Sequence, residues 1–432
     1  MSGLNQRIEP FPALMFDAAR CAPLSDVVAP PYDLIDQPRQ DQLYARSPYN
    51  IVRLELNRDA DPYTSAAHTL AQWLREGILA RAPRPAIYFY TQAFESESRR
   101  LTRNGLIVRI RLEEFSQGRI LPHERTFPAA KEDRLRLLTA TRVNLSPIFG
   151  LYPSGNVELE RLIAAVAARA PQIELTDDLG IANQVRPIHA PDEIAVIQNA
   201  MAEARILIAD GHHRYETALD YRRRRRAAEN NPARPRPYDY VMMTLVGFND
   251  PGLVILPTHR LVHHLPPGAL AVFPARIRET FDVEEFRDAG AMREALRHGR
   301  GALGVVLRGD PVFRILRLKN HDAMAAALPD APKEVHELDV SVLHALILDR
   351  IFAMAPEEIR KGGNIEYTID MRGALAAVAS GKADGAFLMT PPTVQDVERV
   401  SGAGAVMPEK STYFHPKLLT GLVMNSLDDP PA

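Results

Sequence analysis

The sequence predicts an α/β protein of the α+β kind, with mixed sheets in a central unit and in α/β units on either side. Apolar strand-like runs and amphipathic helical runs alternate closely between residues 184 and 265, which is typical of elements that share a sheet. The 432 residues are 46% hydrophobic and 25% charged. This is the composition of an ordinary globular protein, and the length suits two or three domains.

An N-terminal α/β region is expected over residues 1–120. Apolar residues at helical spacing predict a helix over about 62–80. The runs at 86–94 and 105–115 are rich in β-forming residues, and Arg103-Asn104-Gly105 between them has the composition of a turn. We therefore expect an antiparallel strand pair that reverses direction at this tripeptide.

A central region is expected over residues 121–270. It begins with a polar loop at 121–149, within which 131–138 can be helical, and a helix at about 156–170 follows. The expected alternation is then strand 184–190, helix 192–204, strand 205–209, turn 210–214, helix 215–226, and strands 240–248 and 253–262.

The C-terminal region, residues 271–432, repeats the alternation. Two strand-like runs flank Gly309-Asp310 and predict a hairpin, and Asp339 is placed to cap a helix over 340–353. A strand at 365–370, a helix at 371–379 ended by Gly381, a strand at 386–390 and a helix after Pro392 complete the region.

Composition excludes several classes of function. The formal net charge of −2 argues against nucleic acid or a charged membrane surface as the main partner. No apolar run reaches the ~18 residues of a membrane span, and the N-terminus lacks a signal-peptide pattern. Cys21 is the single cysteine, which excludes an internal disulfide and a cysteine-rich zinc site. We expect a cytoplasmic protein, and the sequence does not indicate its oligomeric state.

The segment Asp210-Gly211-His212-His213-Arg214 is the strongest candidate for a functional site. It joins the apolar strand ending at Ala209 to a helix, and a glycine there lets the backbone turn tightly. The first amides of a helix lack internal partners and carry the positive end of its dipole. The sequence therefore predicts an anion site, of the kind that binds phosphate.

The side chains of this turn suit phosphate chemistry. His212, His213 and Arg214 add hydrogen-bond donors, and arginine can bind a phosphate through two bonds. Asp210 could orient a hydroxyl, accept its proton or hold Mg²⁺. The alternative is that Asp210 only caps the helix and that the histidines and the arginine are ordinary surface residues.

The box DGHHRYETAL, residues 210–219, resembles the conserved box of the ParB/sulfiredoxin fold, in which such a turn lies under nucleotide phosphates. Free-serine kinases on that fold carry a similar box. The resemblance implies that Asp210 acts in transfer to a serine hydroxyl and that His212, His213 and Arg214 contact phosphate. Sulfiredoxin needs a cysteine where this chain has His212, so sulfiredoxin chemistry is not expected.

A second set of motifs covers nearly the whole chain: residues 25–33, 47–56, 121–126, 131–138, 144–152, 209–219 and 407–423. Together these segments resemble the bacterial family called domain of unknown function 1015. One departure is Glu409, where we would expect a proline or a neutral residue, and its charge weakens a pure phosphate role for Lys410.

Two further clusters are candidates for the same site. In the first, Glu124 could be a second acid or base or a metal-binding group, and Lys131, Arg134 and Arg142 could close on phosphates; the alternative is a solvated helix face. In the second, Lys410 and Lys417 lie in a polar loop, where ordinary surface lysines are the alternative. The candidate catalytic residues are thus Asp210, Glu124 and His213. The candidate nucleotide-binding residues are Gly211, His212, Arg214, Lys131, Arg134, Arg142, Lys410 and Lys417.

Arg222 to Arg226 form a run of arginines that we interpret as the exposed C-terminal end of a helix, where cations suit the dipole. A nucleic-acid patch is the alternative, which the bulk charge disfavours.

Adjacent histidine pairs such as His263-His264 do not usually face one metal, so we predict no zinc site and no resident metal ligands. P-loop, Rossmann, α/β-hydrolase and zincin motifs are all missing from the sequence.

Three functions remain compatible with the sequence. The first is a small-molecule kinase that uses ATP or ADP with Mg²⁺ and phosphorylates a hydroxyl acceptor, such as the free amino acid serine. The second is a nucleotide-binding switch or sensor that signals to a protein partner without phosphotransfer. The third is a phosphatase or phosphodiesterase that uses the same anion site.

Overall fold

The computed structural model describes residues 7–429, apart from residues 22, 127, 298, 300, 355–358 and 360–362; for residues 129 and 130 it describes the backbone alone. The described residues form two compact units. Unit 1 contains those of 1–122, 126–254 and 416–432, and unit 2 contains those of 123–125 and 255–415. The three-region division expected from the sequence stays a prediction.

The strands of both units follow in chain order. They are β1 (Ile8–Glu9), β2 (Leu14–Phe16), β3 (Leu79–Arg81), β4 (Ile87–Ser96), β5 (Arg99–Arg111), β6 (Ile120–Leu121), β7 (Val143–Asn144), β8 (Ile148–Tyr152), β9 (Ile173–Thr176), β10 (Ala182–Ile188), β11 (Ile206–Asp210), β12 (Tyr240–Gly247), β13 (Val254–Leu256), β14 (His259–Val262), β15 (Phe281–Phe286), β16 (Ala302–Leu307), β17 (Phe313–Leu318), β18 (Ile365–Thr368), β19 (Gly385–Leu388), β20 (Tyr413–His415) and β21 (Asn425–Ser426).

The helices are α1 (Ala18–Cys21), α2 (Gln37–Arg46), α3 (Val52–Glu55), α4 (Pro62–Arg75), α5 (Pro128–Thr141), α6 (Val157–Ala167), α7 (Pro191–Met201), α8 (His212–Ala228), α9 (Ala269–Thr280), α10 (Ala289–Arg297), α11 (Asp322–Ala327), α12 (Lys333–His336), α13 (Asp339–Val342), α14 (Met371–Ala379) and α15 (Val394–Gly402). A π-helical turn, Leu343–Asp349, continues α13. Among the helices described, none has the length and apolar character that a membrane span requires.

A mixed sheet forms the centre of unit 1. Its described strands lie in the order β6-β11-β8-β12-β5-β4-β10-β9, and β1 pairs with β5. The pairs β11–β6 and β12–β8 are parallel, and the other neighbours are antiparallel. All residues of β8 and β12 are buried. Their sequences are nearly continuous apolar runs, which is typical of strands that are covered on both faces of the sheet. The predicted α/β class, with mixed sheets, is confirmed.

Helices α2 to α4 pack with β2 and β3 around a second apolar core in unit 1. Leu43, Leu54 and Trp73 belong to this core. The predicted helix at about 62–80 is confirmed as α4: Asp61 caps it by accepting a bond from the Thr64 amide, and Pro62 occupies its first turn. Its C-terminal end lies at Arg75, and residues 79–81 form β3 instead.

The antiparallel pair expected after α4 is confirmed as β4 and β5, but the predicted turn was wrong. The chain reverses at Glu97 and Ser98, which have φ of 48° and 60°. Asn104 and Gly105 lie inside β5 and pair with β4. A Cβ at Gly105 would lie 2.7 Å from Thr244 Cγ2, so this glycine allows close packing of β12 rather than a turn.

The region expected as a polar loop, 121–149, is mostly regular structure. Pro128–Thr141 form α5, whose Leu135 and Leu138 pack with Tyr221 of α8. Val143–Asn144 and Ile148–Tyr152 are β7 and β8. The expected helix at 131–138 is confirmed and is longer than predicted.

Unit 2 contains a sheet of six described strands in the order β15-β17-β16-β19-β14-β18, and all its neighbours are antiparallel. The hairpin predicted around Gly309-Asp310 is confirmed as β16 and β17. Asp339 does not cap the helix that follows; Leu338 is the N-cap, and the Asp339 carboxylate accepts a bond from Thr390 Oγ1 at 2.7 Å.

Candidate functional site

The predicted turn stands at the end of β11 in unit 1. The register of β11 against β8 shifts between Ile208 and Asp210, and Asp210 pairs with Phe149. Gly211 then adopts φ 93° and is the N-cap of α8, without any side-chain capping bond. Only Gly211 therefore separates Asp210 from the first amides of α8, and the anion site expected at these amides stays a prediction.

Asp210 forms ion pairs instead of capping α8. Its Oδ2 lies 3.3 Å from Lys417 Nζ and 3.8 Å from Arg214 Nη2. The three side chains are 14–23% exposed, so a limited surface of the cluster meets solvent. The alternative in which Asp210 is a helix cap is therefore not the arrangement seen.

Lys417 reaches Asp210 because a buried polar network holds its backbone. Arg103 Nη2 donates to the Pro416 carbonyl at 2.6 Å, and Gln92 Nε2 donates to the Lys417 carbonyl at 3.1 Å. Arg103 also donates to Gln92, and its guanidinium lies 4.7 Å from the centre of the Phe149 ring. Arg103, only 2% exposed, is a buried cation on which the negative charges of Asp250 and Asp210 both act.

The electrostatics of Asp210 reflect these cations. Burial alone would raise the pKa of its carboxyl, but Lys417, Arg214 and His212 together lower that pKa well below its usual range. Burial lowers the pKa of Arg103 to about 10, although Asp210 is among the groups that oppose this shift. At neutral pH the Asp210 carboxylate therefore lies against two cations, Arg214 and Lys417.

Arg214 is fixed by bonds to the segment before β8. Its Nη1 donates to Ser146 Oγ at 2.9 Å and to the Pro147 carbonyl at 2.6 Å, while its Nε is buried without a described partner. Arg214 also borders a cavity of about 50 Å³, together with Arg134 and Thr217. The cavity has the volume of a water molecule, and most of its lining is apolar.

The two histidines of the turn differ in exposure. His212 is buried, at 5% exposed, and contributes to the low pKa of the Asp210 carboxyl. His213 is half-buried at the second position of α8. Gly211, His212 and Arg214 are thus adjacent to Asp210, while the catalytic role assigned to His213 stays a prediction.

Lys131 contacts α8 just beyond the turn. Its Nζ lies 2.7 Å from Glu216 Oε2, and Glu216 Oε1 accepts a bond from Thr126 Oγ1 at 2.8 Å. The start of α5 is therefore tied to the first turns of α8 through Glu216. Lys131 is paired with a carboxylate in this arrangement, and its contact with phosphate stays a prediction.

Arg134 lies in a buried network of unit 1. Its guanidinium donates to Glu55 Oε1 at 2.8 Å and to Asp133 Oδ2 at 2.6 Å, and it stacks 4.3 Å from the centre of the Tyr32 ring. Burial would lower its pKa, but Glu55 and Asp133 more than compensate and raise it. Arg134 borders the same small cavity as Arg214.

Arg142 follows the last residue of α5, with φ 53°. Its side chain is 56% exposed and lies 3.7 Å from Asp428. Unlike Lys417, it forms no described ion pair with Asp210. Its predicted role in phosphate binding is untested by this geometry.

Glu124 and Lys410 both belong to unit 2. Glu124 Oε1 lies 3.9 Å from His123 Nε2, and His123 Nε2 is 3.0 Å from Thr412 Oγ1. Lys410 adopts φ 54° in the loop before β20, and its carbonyl accepts a bond from Arg260 at 3.1 Å. The roles predicted for these two residues stay predictions.

The arginine run at the end of α8 makes ion pairs within unit 1. Arg222 and Arg223 each contact Glu114 at 2.7 Å, and Arg226 contacts Asp239 at 2.6 Å. These bonds anchor the C-terminal half of α8.

In the part of the chain that the structure describes, no group of three or more His, Cys, Asp and Glu side chains is placed to hold a metal ion.

Sequence reasoning found the turn but missed Arg103, Gln92 and Ser146. Gln92 lies on β4, in a predicted strand, and Arg103 lies on β5, where the sequence predicts a turn. Gln92 contacts Lys417, 325 residues further along the chain, and Arg103 contacts Pro416, 313 residues further along. No local pattern signals such contacts.

Fold and site together define a mixed α/β protein with a cationic turn at the start of a helix. The model of the family described as "Protein of unknown function (DUF1015)" matches residues 8–341, and the chain belongs to this family. No curated protein matches the chain.

Several solved structures are similar at low identity. A free serine kinase in complex with AMP is 16% identical, with 71% of this chain and 86% of that chain covered and a TM-score of 0.36. A conserved hypothetical protein from Pyrococcus furiosus is 14% identical over 71% and 90%, with a TM-score of 0.34. SbnI with a C-terminal truncation, from Staphylococcus aureus, is 11% identical over 73% and 85%, with a TM-score of 0.35.

Proposed function

We propose that unit 1 binds the phosphate groups of a nucleotide, ATP or ADP, at the start of α8. The observation that carries this proposal is the charge around Asp210: one carboxylate forms ion pairs with two cations, Arg214 and Lys417. The site is therefore net positive before any ligand binds. The amides of His212 and His213, at the N-terminus of α8, add donors and a favourable dipole for an anion.

On this site we propose transfer of a phosphoryl group to a small hydroxyl acceptor, such as free serine. The bond between the terminal phosphorus and its bridging oxygen breaks, and the acceptor oxygen forms the new bond to phosphorus. The hydroxyl proton passes to the Asp210 carboxylate, and the nucleotide leaves with one phosphate fewer. Arg214 and Lys417 stabilise the charge on the transferred group.

Mg²⁺ would enter this site with the nucleotide. Asp210 is the one carboxylate in the cluster, and its Oδ2 already contacts two cations. This donor set does not make a metal site of its own. Mg²⁺ commonly binds through substrate phosphates and one or two carboxylates, so Asp210 is the residue that would complete its coordination.

One observation favours a second candidate, a nucleotide-binding switch or sensor. A general base works best when its pKa is near the working pH, whereas cations hold the pKa of Asp210 well below its usual range. In the kinase, bound phosphate must draw Lys417 and Arg214 away before Asp210 accepts a proton. In the switch, Asp210 only positions the two cations and no transfer follows.

Calorimetry and a coupled assay on the full chain separate the candidates. The protein is titrated with ATP and with ADP in the presence of Mg²⁺, and nucleotide turnover is measured with a panel of hydroxyl metabolites that includes serine. Binding with acceptor-dependent turnover supports the kinase, and binding without turnover supports the switch. Phosphate release without an acceptor would identify a phosphatase, and no binding of either nucleotide would refute the proposal.

Variants assign the role of Asp210. Asp210→Asn removes the proton acceptor and one negative charge, so we expect turnover to fall at least a hundredfold while nucleotide affinity is kept or increased. Asp220→Asn is the matched control, because Asp220 lies on the same helix and pairs with Arg223 on the surface. Equal turnover in Asp210→Asn and the control would exclude Asp210 from the reaction.

A further inference from the structure

A group of buried polar side chains lies on one side of the sheet of unit 2, separate from the nucleotide site proposed above. Arg260 is on β14, directly opposite Tyr367 of β18 and Phe387 of β19. It is 1% exposed, although it carries a permanent charge. The guanidinium carbon lies 5.4 Å from the centre of the Tyr367 ring.

The described hydrogen bonds of the Arg260 guanidinium all go to backbone carbonyl groups. Its Nη1 donates to the carbonyl of Thr258, and its Nη2 donates to the carbonyls of Glu409 and Lys410 at 3.3 and 3.1 Å. Its Nε is buried without a hydrogen-bond partner among the described residues. These described contacts of its guanidinium include no carboxylate.

Other polar atoms near Arg260 are also buried without a described partner. They are the Tyr367 hydroxyl, the Thr258 hydroxyl and His344 Nε2. His344 lies on the π-helical turn, and burial followed by the charge of Arg260 lowers its pKa to about 3. Native proteins leave few buried polar atoms unpaired, so several in one cluster require an explanation.

The charge on Arg260 limits what can complete this cluster. Burial lowers the pKa of Arg260 only to about 10, so it remains a cation at neutral pH. A buried cation is costly unless it is paired with an anion, and water supplies hydrogen bonds without a countercharge. An anion that accepts several bonds would satisfy both the charge and the unpaired donors.

We propose that unit 2 binds a small carboxylate at Arg260, Tyr367 and Thr258, and that the carboxylate belongs to a free α-amino acid. The negative charges of Glu124 and Glu409 act on Tyr367, and that of Glu124 also acts on Arg260. They disfavour a doubly charged phosphate and favour a ligand whose ammonium group they can attract. This site does not depend on the proposed nucleotide function.

Titration calorimetry on the full chain, without nucleotide, tests the ligand class. The probes are L-serine, acetate, ethanolamine and inorganic phosphate. Binding of serine more tightly than acetate, with no binding of ethanolamine and no displacement of bound serine by phosphate, supports the proposal. It is overturned if serine binds no more tightly than acetate, or if phosphate displaces bound serine.

Two conservative variants locate the bound carboxylate without removing the buried charge. Tyr367→Phe and Thr258→Val each delete an unpartnered hydroxyl, so both should fold at least as stably as the parent in the absence of ligand. We expect each to weaken serine binding about tenfold, the value of one bond to a charged group. Ser401→Ala is the matched control, since it deletes another buried unpartnered hydroxyl of unit 2, on α15.

The outcome separates this site from the nucleotide site. Lys417→Met should leave serine affinity unchanged, because it alters unit 1 alone. Unchanged serine affinity in Tyr367→Phe and Thr258→Val, or a loss of affinity in Ser401→Ala equal to theirs, would overturn the proposal. Failure of nucleotide binding would not affect it.

Discussion

At the scale of single residues, Asp210 determines how the cations at the start of α8 are arranged. Its carboxylate forms ion pairs with Lys417 and Arg214. A bond from Gln92 also holds the backbone of Lys417, and Ser146 also accepts a bond from the Arg214 side chain. One negative charge thus keeps two positive charges close together and oriented. A bound phosphate can exploit cations that are already in place, which reduces the ordering cost of binding.

The low pKa of Asp210 predicts how its contribution to stability depends on pH. The folded-state pKa lies below the value of about 3.9 for an unfolded aspartate, so the contribution is complete above that value and is lost as pH falls through the folded pKa. We expect the unfolding free energies of the parent and Asp210→Asn to differ by a constant amount from pH 5 to 7. The difference should shrink below about pH 4.

Urea unfolding between pH 2 and 7 measures this difference. Asp220→Asn provides the baseline, since its exposed pair with Arg223 is worth less than about 1 kcal/mol. A difference that grows as the pH falls would contradict the assignment of Asp210 as a strongly paired carboxylate.

Gly211 predicts a second residue-level effect. It has φ 93°, and an added Cβ would lie 3.0 Å from the Arg214 guanidinium. Gly211→Ala should cost about 1–2 kcal/mol of backbone strain, and it should also displace Arg214 and weaken nucleotide binding. Gly268→Ala is the matched control: Gly268 caps α9 with φ 83° and has open space around its Cβ position.

Thermal unfolding and nucleotide titration of both variants give the comparison. We expect both to lose stability and only Gly211→Ala to lose nucleotide affinity. Equal affinity in the two variants would mean that the position of Arg214 does not matter for binding.

The sequence reveals this site only in part, because its signals are local. Residues 210–214 are contiguous, and a glycine between a strand and a helix is a recognisable pattern. Arg103 and Ser146 reach the site through sheet pairing and long-range packing, as Phe149 does when it pairs with Asp210. Such contacts depend on topology, which a strand prediction alone does not provide.

At the scale of elements, α5 is longer than the helix expected at 131–138 within a polar loop. Its many charged residues favour a solvated helix face, yet Leu135 and Leu138 give it a buried side against α8. The hairpin turn was misplaced for a similar reason. Asn-Gly is a common turn pair, so Asn104-Gly105 was predicted as the turn. In the structure Gly105 lies where β12 packs closely, and Glu97 and Ser98 form the turn with positive φ.

The ion pair between α3 and α5 gives an element-level prediction. Arg134 and Glu55 are both buried and 2.8 Å apart, whereas Arg142 and Asp428 are about half exposed. Removing one partner of a buried pair costs about 3–5 kcal/mol, and an exposed pair is worth about 0–1 kcal/mol. Arg134→Met should therefore destabilise the protein strongly, and Arg142→Met hardly at all.

Denaturant unfolding of the two single variants tests this contrast. A double variant, Glu55→Met with Arg134→Met, should recover part of the loss, since it leaves no buried charge without its partner. Equal stability of Arg134→Met and Arg142→Met would show that the buried pair contributes little.

At the scale of the whole molecule, unit 1 is built from segments far apart in the sequence. The residues after 415 supply β21, which pairs with β7, and Met424, which lies in the core with Trp73. They also supply Lys417. The net charge of −2 therefore conceals a local excess of positive charge, because distant cations meet only in the folded unit.

A truncation tests this assembly. A chain that ends at His415 lacks Lys417 and the Pro416 carbonyl that binds Arg103. We expect its thermal midpoint to fall and its stabilisation by ATP or ADP to disappear, as measured by thermal shift. Lys417→Met is the milder control, which should fold and bind nucleotide about tenfold more weakly; normal nucleotide binding by the truncated chain would refute this account of unit 1.

The same arrangement has a consequence for biosynthesis. Until residues 416–432 leave the ribosome, β7 cannot pair with β21, and Asp210 cannot pair with Lys417. All of residues 255–415 must be translated before that segment emerges. At roughly 5–20 residues per second, the interval is on the order of ten seconds or more. During that time the nascent chain exposes apolar surface that the closing residues later cover, so a chaperone has both the time and the surface to bind.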